Sequence, residues 1–235
     1  MTVDVHHLIK RYGEHFALQV PSLHLSAGEA LGLVGNNGAG KTTFLRLLLD
    51  LIQADEGYAL VGGENVAQGT SWKAHVGSYL DESFLLDFLT PDEFFRFAGH
   101  VYEMSTAQID TSLIRFQGFL PDEALGRTQP FIRDLSMGNK KKIGLVAAMF
   151  LSPRLLILDE PFANLDPGSQ IRLKKHLHQL RQEHGTTMLI SSHDLGHVTD
   201  VCERIAVLDN GRIVRDMTTS DATLQELKSY FTAAD

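Results

Sequence analysis

Over the first sixty positions, apolar residues fall into short runs broken by glycine rather than into long helical stripes. Leu31-Gly32-Leu33-Val34 reads as a buried strand, a glycine-rich turn follows, and Thr42–Ile52 then carries its apolar positions at helical spacing. Residues 58–61 and 75–80 are equally short and strand-like, punctuated by Gly57, Gly62 and Gly63. From about residue 82 the pattern becomes helical, and nine of the thirteen Phe residues lie between 84 and 150. Most of these rings are expected in a core, with a few left to line a groove for a partner helix. Thr90-Pro91-Asp92-Glu93 joins an N-cap, a proline at the first helical position and a glutamate three residues after the cap, so a helix starts there. The strand pattern resumes with the apolar run Leu155–Leu158. Asp166-Pro167 opens a helix that Gly185 ends, Met188-Leu189-Ile190 is another strand, and Asn210-Gly211 joins Ile205–Leu208 to Arg212–Val214 as a hairpin.

Strands alternating with helices around a parallel core predict an α/β fold in one domain of 235 residues. Its catalytic core would be 1–81 and 151–235, and 82–150 a helical subdomain. Composition narrows the class. Hydrophobic residues make up 43% and charged residues 21%, the values of an ordinary folded domain. The formal net charge of −8 opposes binding along nucleic acid, so no nucleic-acid partner is expected. Cys202 stands alone, no basic-then-apolar leader opens the chain, and no apolar run approaches the ~20 residues that cross a bilayer. A cytoplasmic protein is expected, with any membrane role exercised through a partner.

Two motifs carry recognisable chemistry. Gly35-Asn36-Asn37-Gly38-Ala39-Gly40-Lys41-Thr42, continued by Thr43, fits G-x-x-x-x-G-K-[ST] between a strand and a helix. Glycines there let backbone N–H groups wrap phosphate oxygens, Lys41 reaches the outer phosphates, and Thr42 offers a hydroxyl to Mg²⁺. Leu155–Leu158 then runs into Asp159 and Glu160. Asp159 would serve the metal side, leaving Glu160 free for water. Together these predict a P-loop nucleoside triphosphatase.

Between and after these motifs stand Leu135-Ser136-Met137-Gly138-Asn139, Ala163-Asn164-Leu165-Asp166 and Ser191-Ser192-His193. In that order and spacing the chain resembles the ATP-binding subunits of ABC transporters over nearly its whole length. The resemblance implies a P-loop NTPase core with a mixed sheet, an amino-terminal antiparallel β region and an inserted helical subdomain. It implies that Ser136 and Gly138 contact the γ-phosphate of ATP on a second subunit, that Tyr12 stacks on adenine, and that Glu160 is the general base. It also implies that His193 contacts the γ-phosphate and that Asp166 belongs to a loop crossing the dimer interface. ATP and Mg²⁺ are the cofactors it implies, and a second nucleotide-binding subunit and an integral permease the partners. The chain would then sit on the inner face of the membrane through that permease. Export is the expected direction; a soluble ABC-type ATPase of DNA repair or translation, or a non-hydrolysing switch, is the alternative.

The chain also departs from that pattern. Asp81 occupies the position of a glutamine that touches Mg²⁺ in most relatives, and a carboxylate is likewise a hard oxygen ligand, so Asp81 is expected at the metal. Met137 and Asn139 alter the signature, and Ala163-Asn164 the interface loop. Lys140–Lys142 reads as a solvated helix face, and the pairs His176/His178 and His193/His197 lack the partners a metal site needs.

Overall fold

The inner strands are apolar on both faces, so both faces have to be covered. In β3 (Ala30–Val34), Leu31 and Leu33 enter one core while Ala30 and Val34 enter another. β7 (Leu155–Leu158), β8 (Thr187–Ser192) and β9 (Arg204–Asp209) divide in the same way. Leu155, Ile157, Leu189 and Leu208 go to one side, and Leu156, Leu158, Ile190 and Val207 to the other. β6 (Val76–Tyr79), β7, β8, β3 and β9 pair in parallel in that spatial order, the arrangement that two-sided burial selects.

The computed structural model describes residues 1–13, 16–124, 129–220 and 222–233. Its amino-terminal part adds an antiparallel region. β1 (Val3–Tyr12) pairs with β2 (Phe16–Leu25) and with β4 (Glu56–Val61), which carries the short β5 (Glu64–Asn65). β10 (Arg212–Thr218) runs antiparallel to β9 and touches β2 in parallel, which closes one mixed sheet in the order β5-β4-β1-β2-β10-β9-β3-β8-β7-β6.

The helical elements follow their local signals. α1 (Lys41–Leu48) stops at Leu48 rather than at Ile52, because Asp50 takes a left-handed φ of 55° and Leu51 N–H returns to the Arg46 carbonyl at 2.9 Å. α2 (Pro91–Val101) has the expected capping box at Thr90 and Glu93. α3 (Thr106–Ile114) has a second one, at Ser105 and Gln108, and α4 (Met137–Met149) starts on Ser136. α5 (Pro167–His184) runs from the Asp166 cap to Gly185; α6 (Leu195–Val201) and α7 (Thr223–Ala233) complete the chain. Of the nine clustered Phe residues, 94, 95, 116, 119 and 150 are buried and 84, 88, 97 and 131 are exposed.

Candidate functional site

Parallel strands end together, so whatever follows them shares one edge of the sheet. After β3 comes the loop Gly35–Gly40, after β7 come Asp159 and Glu160, and after β8 comes His193; Asp81 follows β6 at the same edge. Four separate stretches of sequence thereby meet beside the start of α1.

The loop after β3 encloses a cavity of about 320 Å³ lined by Phe16, Asn36, Asn37, Gly38, Gly40, Lys41, Thr42, Thr43 and Glu160. Gly38 and Gly40 stand at φ of 83° and 109°, which a side chain would resist, and a Cβ on Gly40 would lie 3.0 Å from Phe16 Cζ. Lys41 is 6% exposed. Its Nζ donates to the carbonyls of Gly35 (2.7 Å) and Asn36 (3.3 Å) and lies 3.3 Å from Glu160 Oε1. A cation is thus stationed at the floor of a glycine cradle, beside a helix N-terminus, where an anion finds both charge and backbone donors.

The carboxylates are held in complementary ways. Asp159 is buried, accepts from Thr42 Oγ1 at 2.5 Å through one oxygen and from the Ser191 hydroxyl through the other. Ser191 Oγ in turn accepts from Glu160 N–H at 2.9 Å. Glu160 Oε2 meets His193 Nδ1 at 2.8 Å and accepts from His193 N–H at 3.3 Å. Thr42 and Asp159 are two hard oxygen donors side by side, a set that fits Mg²⁺, which takes one or two protein ligands and keeps water and phosphate for the rest. Glu160, oriented by His193 and open to the cavity, is placed to accept a proton from water.

The remaining candidates lie further out. Tyr12 is 47% exposed and in tilted ring contact with Phe16 at 6.3 Å between centroids, so it is Phe16 that borders the cavity. Ser136 is exposed at the N-cap of α4, accepting from Asn139 N–H at 3.3 Å, and neither it nor Gly138 is among the residues lining the cavity. Asp166 caps α5. It accepts from Ser169 Oγ at 2.5 Å and Ser169 N–H at 2.9 Å, and these bonds, with Lys142 at 3.4 Å, hold its carboxyl down at about 2. Asp81 accepts from Ser83 N–H at 2.8 Å and from the Ser83 hydroxyl, with Arg46 at 3.8 Å, and does not line the cavity.

One expectation needs correction. The Lys140–Lys142 run is not a solvated face: Lys141 is buried, and its amine donates to the Glu160 and Ala163 carbonyls, each at 3.0 Å. Burial pushes that amine below its ordinary value, while Glu82, Glu160 and Asp159 oppose the shift. Of the histidine pairs, His176 is pushed down to about 4 by burial, against Phe116 and Phe119, and His197 stacks on Phe162.

A family model described as ABC transporter matches residues 18–163. The chain belongs to the ABC transporter family. Within that family it is an ATP-binding subunit and an ATPase. It is 31% identical over 89% of its length to an uncharacterised ABC transporter ATP-binding protein, YhcH, of Bacillus subtilis. It is 32% identical over 91% to a sulfate/thiosulfate import ATP-binding protein of Bradyrhizobium diazoefficiens, and 30% identical over 93% to a bacitracin transport ATP-binding protein of Enterococcus faecalis. It spans 68%, 62% and 70% of those relatives' own lengths. Among solved structures, the ATP-binding subunit of an ABC transporter superposes with a TM-score of 0.86 at 26% identity, covering 99% of both chains. A dimeric cassette bound to ADP and Pi shares the fold, with a TM-score of 0.80 at 20% identity over 93% of this chain and 99% of that one. These relatives are transport proteins, and nothing among them supports the DNA-repair or translation alternative.

Proposed function

We propose that this ABC cassette hydrolyses ATP at sites shared by two head-to-tail copies, and that closing and reopening of the pair drives a solute through a separate integral membrane permease. The observation that carries the reading is the cavity lined by Lys41, Thr42 and Glu160, with Asp159 bonded to Thr42 and His193 to Glu160. Lys41 and the loop amides neutralise and orient the triphosphate, Glu160 takes the proton of the attacking water, and His193 holds Glu160 and faces the γ-phosphate. Thr42 and Asp159 would hold Mg²⁺, which when bound supplies charge neutralisation between the phosphates. Ser136, exposed, and Gly138, half-buried, both outside the cavity of their own chain, serve the γ-phosphate of the opposite copy, and Tyr12 beside Phe16 receives the adenine.

No helix among the described residues is long and apolar enough to cross a membrane. Attachment through the permease to the inner face of the membrane follows from the transport reading. An open, mostly apolar groove of about 330 Å³, bordered by Tyr79, Phe84, Leu85, Phe94 and Tyr102, is the face proposed to receive a permease helix. Export is the proposed direction, on the resemblance of Asp81 to the acidic residue of exporter-type cassettes; ATP-driven uptake into inside-out vesicles supports it, and uptake only in the opposite orientation overturns it.

Glu160→Gln tests the core of this reading. The variant should bind MgATP, release no phosphate above background and persist as a dimer on size exclusion; phosphate release at the unmutated rate overturns it. For Asp81, metal contact is proposed by its place at the sheet edge. Asn keeps the turn cap but not the charge, so Asp81→Asn should raise the Mg²⁺ concentration that half-activates hydrolysis, and an unchanged titration removes Asp81 from the metal.

A further inference from the structure

The start of α4 and the segment 160–166 touch at three points within one chain. A Cβ on Gly138 would stand 3.1 Å from the Asn164 carbonyl oxygen, so the two backbones approach closely. Lys142 Nζ lies 3.4 Å from Asp166 Oδ2. Between these contacts, Lys141 Nζ donates at 3.0 Å to the Glu160 carbonyl and at 3.0 Å to the Ala163 carbonyl, and it lies 5.8 Å from the centroid of the Tyr79 ring. An ammonium group has three donors; two carbonyls and a ring face occupy the surroundings of this one. Lys141 is 5% exposed, so water does not compete.

The segment it holds is strained. Glu160 and Asn164 are non-glycine residues at φ of 46° and 61°, a region that asparagine tolerates and glutamate resists. A conformation of that kind persists only where its surroundings fix it, and the Lys141 amine grips the carbonyls at residues 160 and 163 of the strained stretch.

We propose that Lys141 is a positioning residue that fixes the Glu160–Ala163 turn and ties the Ser136 tip, offered to a neighbour's nucleotide, to the carboxylate used on the chain's own. The inference rests on the roles given above to Glu160 and Ser136. Because Lys141 is five residues from Ser136 on the same helix and bonded to Glu160 itself, docking of the tip on one nucleotide and alignment of the carboxylate at the other become one event. The two sites of a dimer are then coupled.

Methionine fills the same space without donors, so Lys141→Met in the full chain separates packing from tethering. The expected result is a kcat lowered about 10- to 100-fold by displacement of Glu160. KM for ATP should stay within about threefold, since the phosphate loop is untouched. The Hill coefficient in ATP should fall toward one. Lys141→Arg, which restores a cationic donor, should recover part of the kcat. Thermal unfolding and binding of a fluorescent ATP analogue establish that each variant is folded; if the methionine variant is not, Lys141→Leu, likewise without donors, is read by the same quantities. A folded variant with unchanged kcat and Hill coefficient overturns the proposal. So does a loss confined to KM, an equal loss in the Arg and Met variants, or a Hill coefficient of one in the unmutated chain. Glu160→Gln assayed in parallel keeps the two failures apart: if it hydrolyses at the unmutated rate, the role of Glu160 falls, whatever Lys141 does.

Discussion

Asp166 shows how one side chain serves a helix and a surface together. Its carboxylate accepts from Ser169 twice and pairs with Lys142, which lowers it from the ordinary 3.8 to about 2. A carboxyl depressed on folding contributes stability above its unfolded value and loses it as the pH falls through the folded one. Asp166→Ala should therefore lower Tm by roughly 2–4 °C, the worth of a typical N-cap in a chain of this size. That gap, measured by calorimetry, should be flat from about pH 8 to 5 and close between about pH 4 and 2; a gap that widens on acidification contradicts the assignment. Asp166 was legible because Asp-Pro before a helical run is a local signal. Lys41, Thr42, Asp159 and Glu160 were legible because their chemistry demands fixed spacings. Phe16 and Lys141 were not: Phe16 reaches the phosphate loop only through sheet pairing, and Lys141 binds carbonyls 19 and 22 residues away. A triple lysine run reads as solvent-facing unless those distant carbonyls are known.

At the scale of elements, the sequence predicted what local chemistry determines. The Thr90 box, the Asp166-to-Gly185 helix and the Asn210-Gly211 hairpin all stand where their signals put them. The Ser105/Gln108 box of α3 carries the same kind of signal. The end of α1 had no glycine to announce it, since Asp50 takes the left-handed turn. The surface beside α2 was half legible: the phenylalanine cluster pointed to a groove, but which rings stay out depends on packing against α4. Phe84 is 54% exposed at that groove's rim, on a short turn that Asp81 caps. Phe84→Asp should leave folding and MgATP binding intact, because the ring is more than half exposed and lies outside the phosphate cavity. It should reduce the permease recovered with the cassette from detergent-solubilised membranes by about tenfold or more, as loss of an aromatic anchor does. Full recovery places the permease on another face.

Across the whole molecule, the cavity that holds Lys41 and Glu160 is lined without Ser136 or Gly138, and in the proposed head-to-tail dimer each chain would carry half of two sites. That division makes a prediction no single-chain site can meet. A chain with Lys41→Ala lacks its phosphate lysine yet keeps a sound Ser136 tip. A chain with Ser136→Arg keeps its lysine yet offers an obstructed tip. Each alone should form dimers without steady-state hydrolysis. When they are mixed in equal amounts, half of the dimers are hybrids, and each hybrid pairs the intact cradle of the second chain with the intact tip of the first. Phosphate release should then recover to about a quarter of the unmutated rate if the two sites of a symmetric dimer act independently. The coupling proposed for Lys141 adds a second expectation: the hybrid's one whole site faces a partner site that cannot fire, so recovery should fall below that quarter. No recovery at any mixing ratio, with hybrid formation shown by two affinity tags, would mean that the serine tip of one copy does not complete the site of the other.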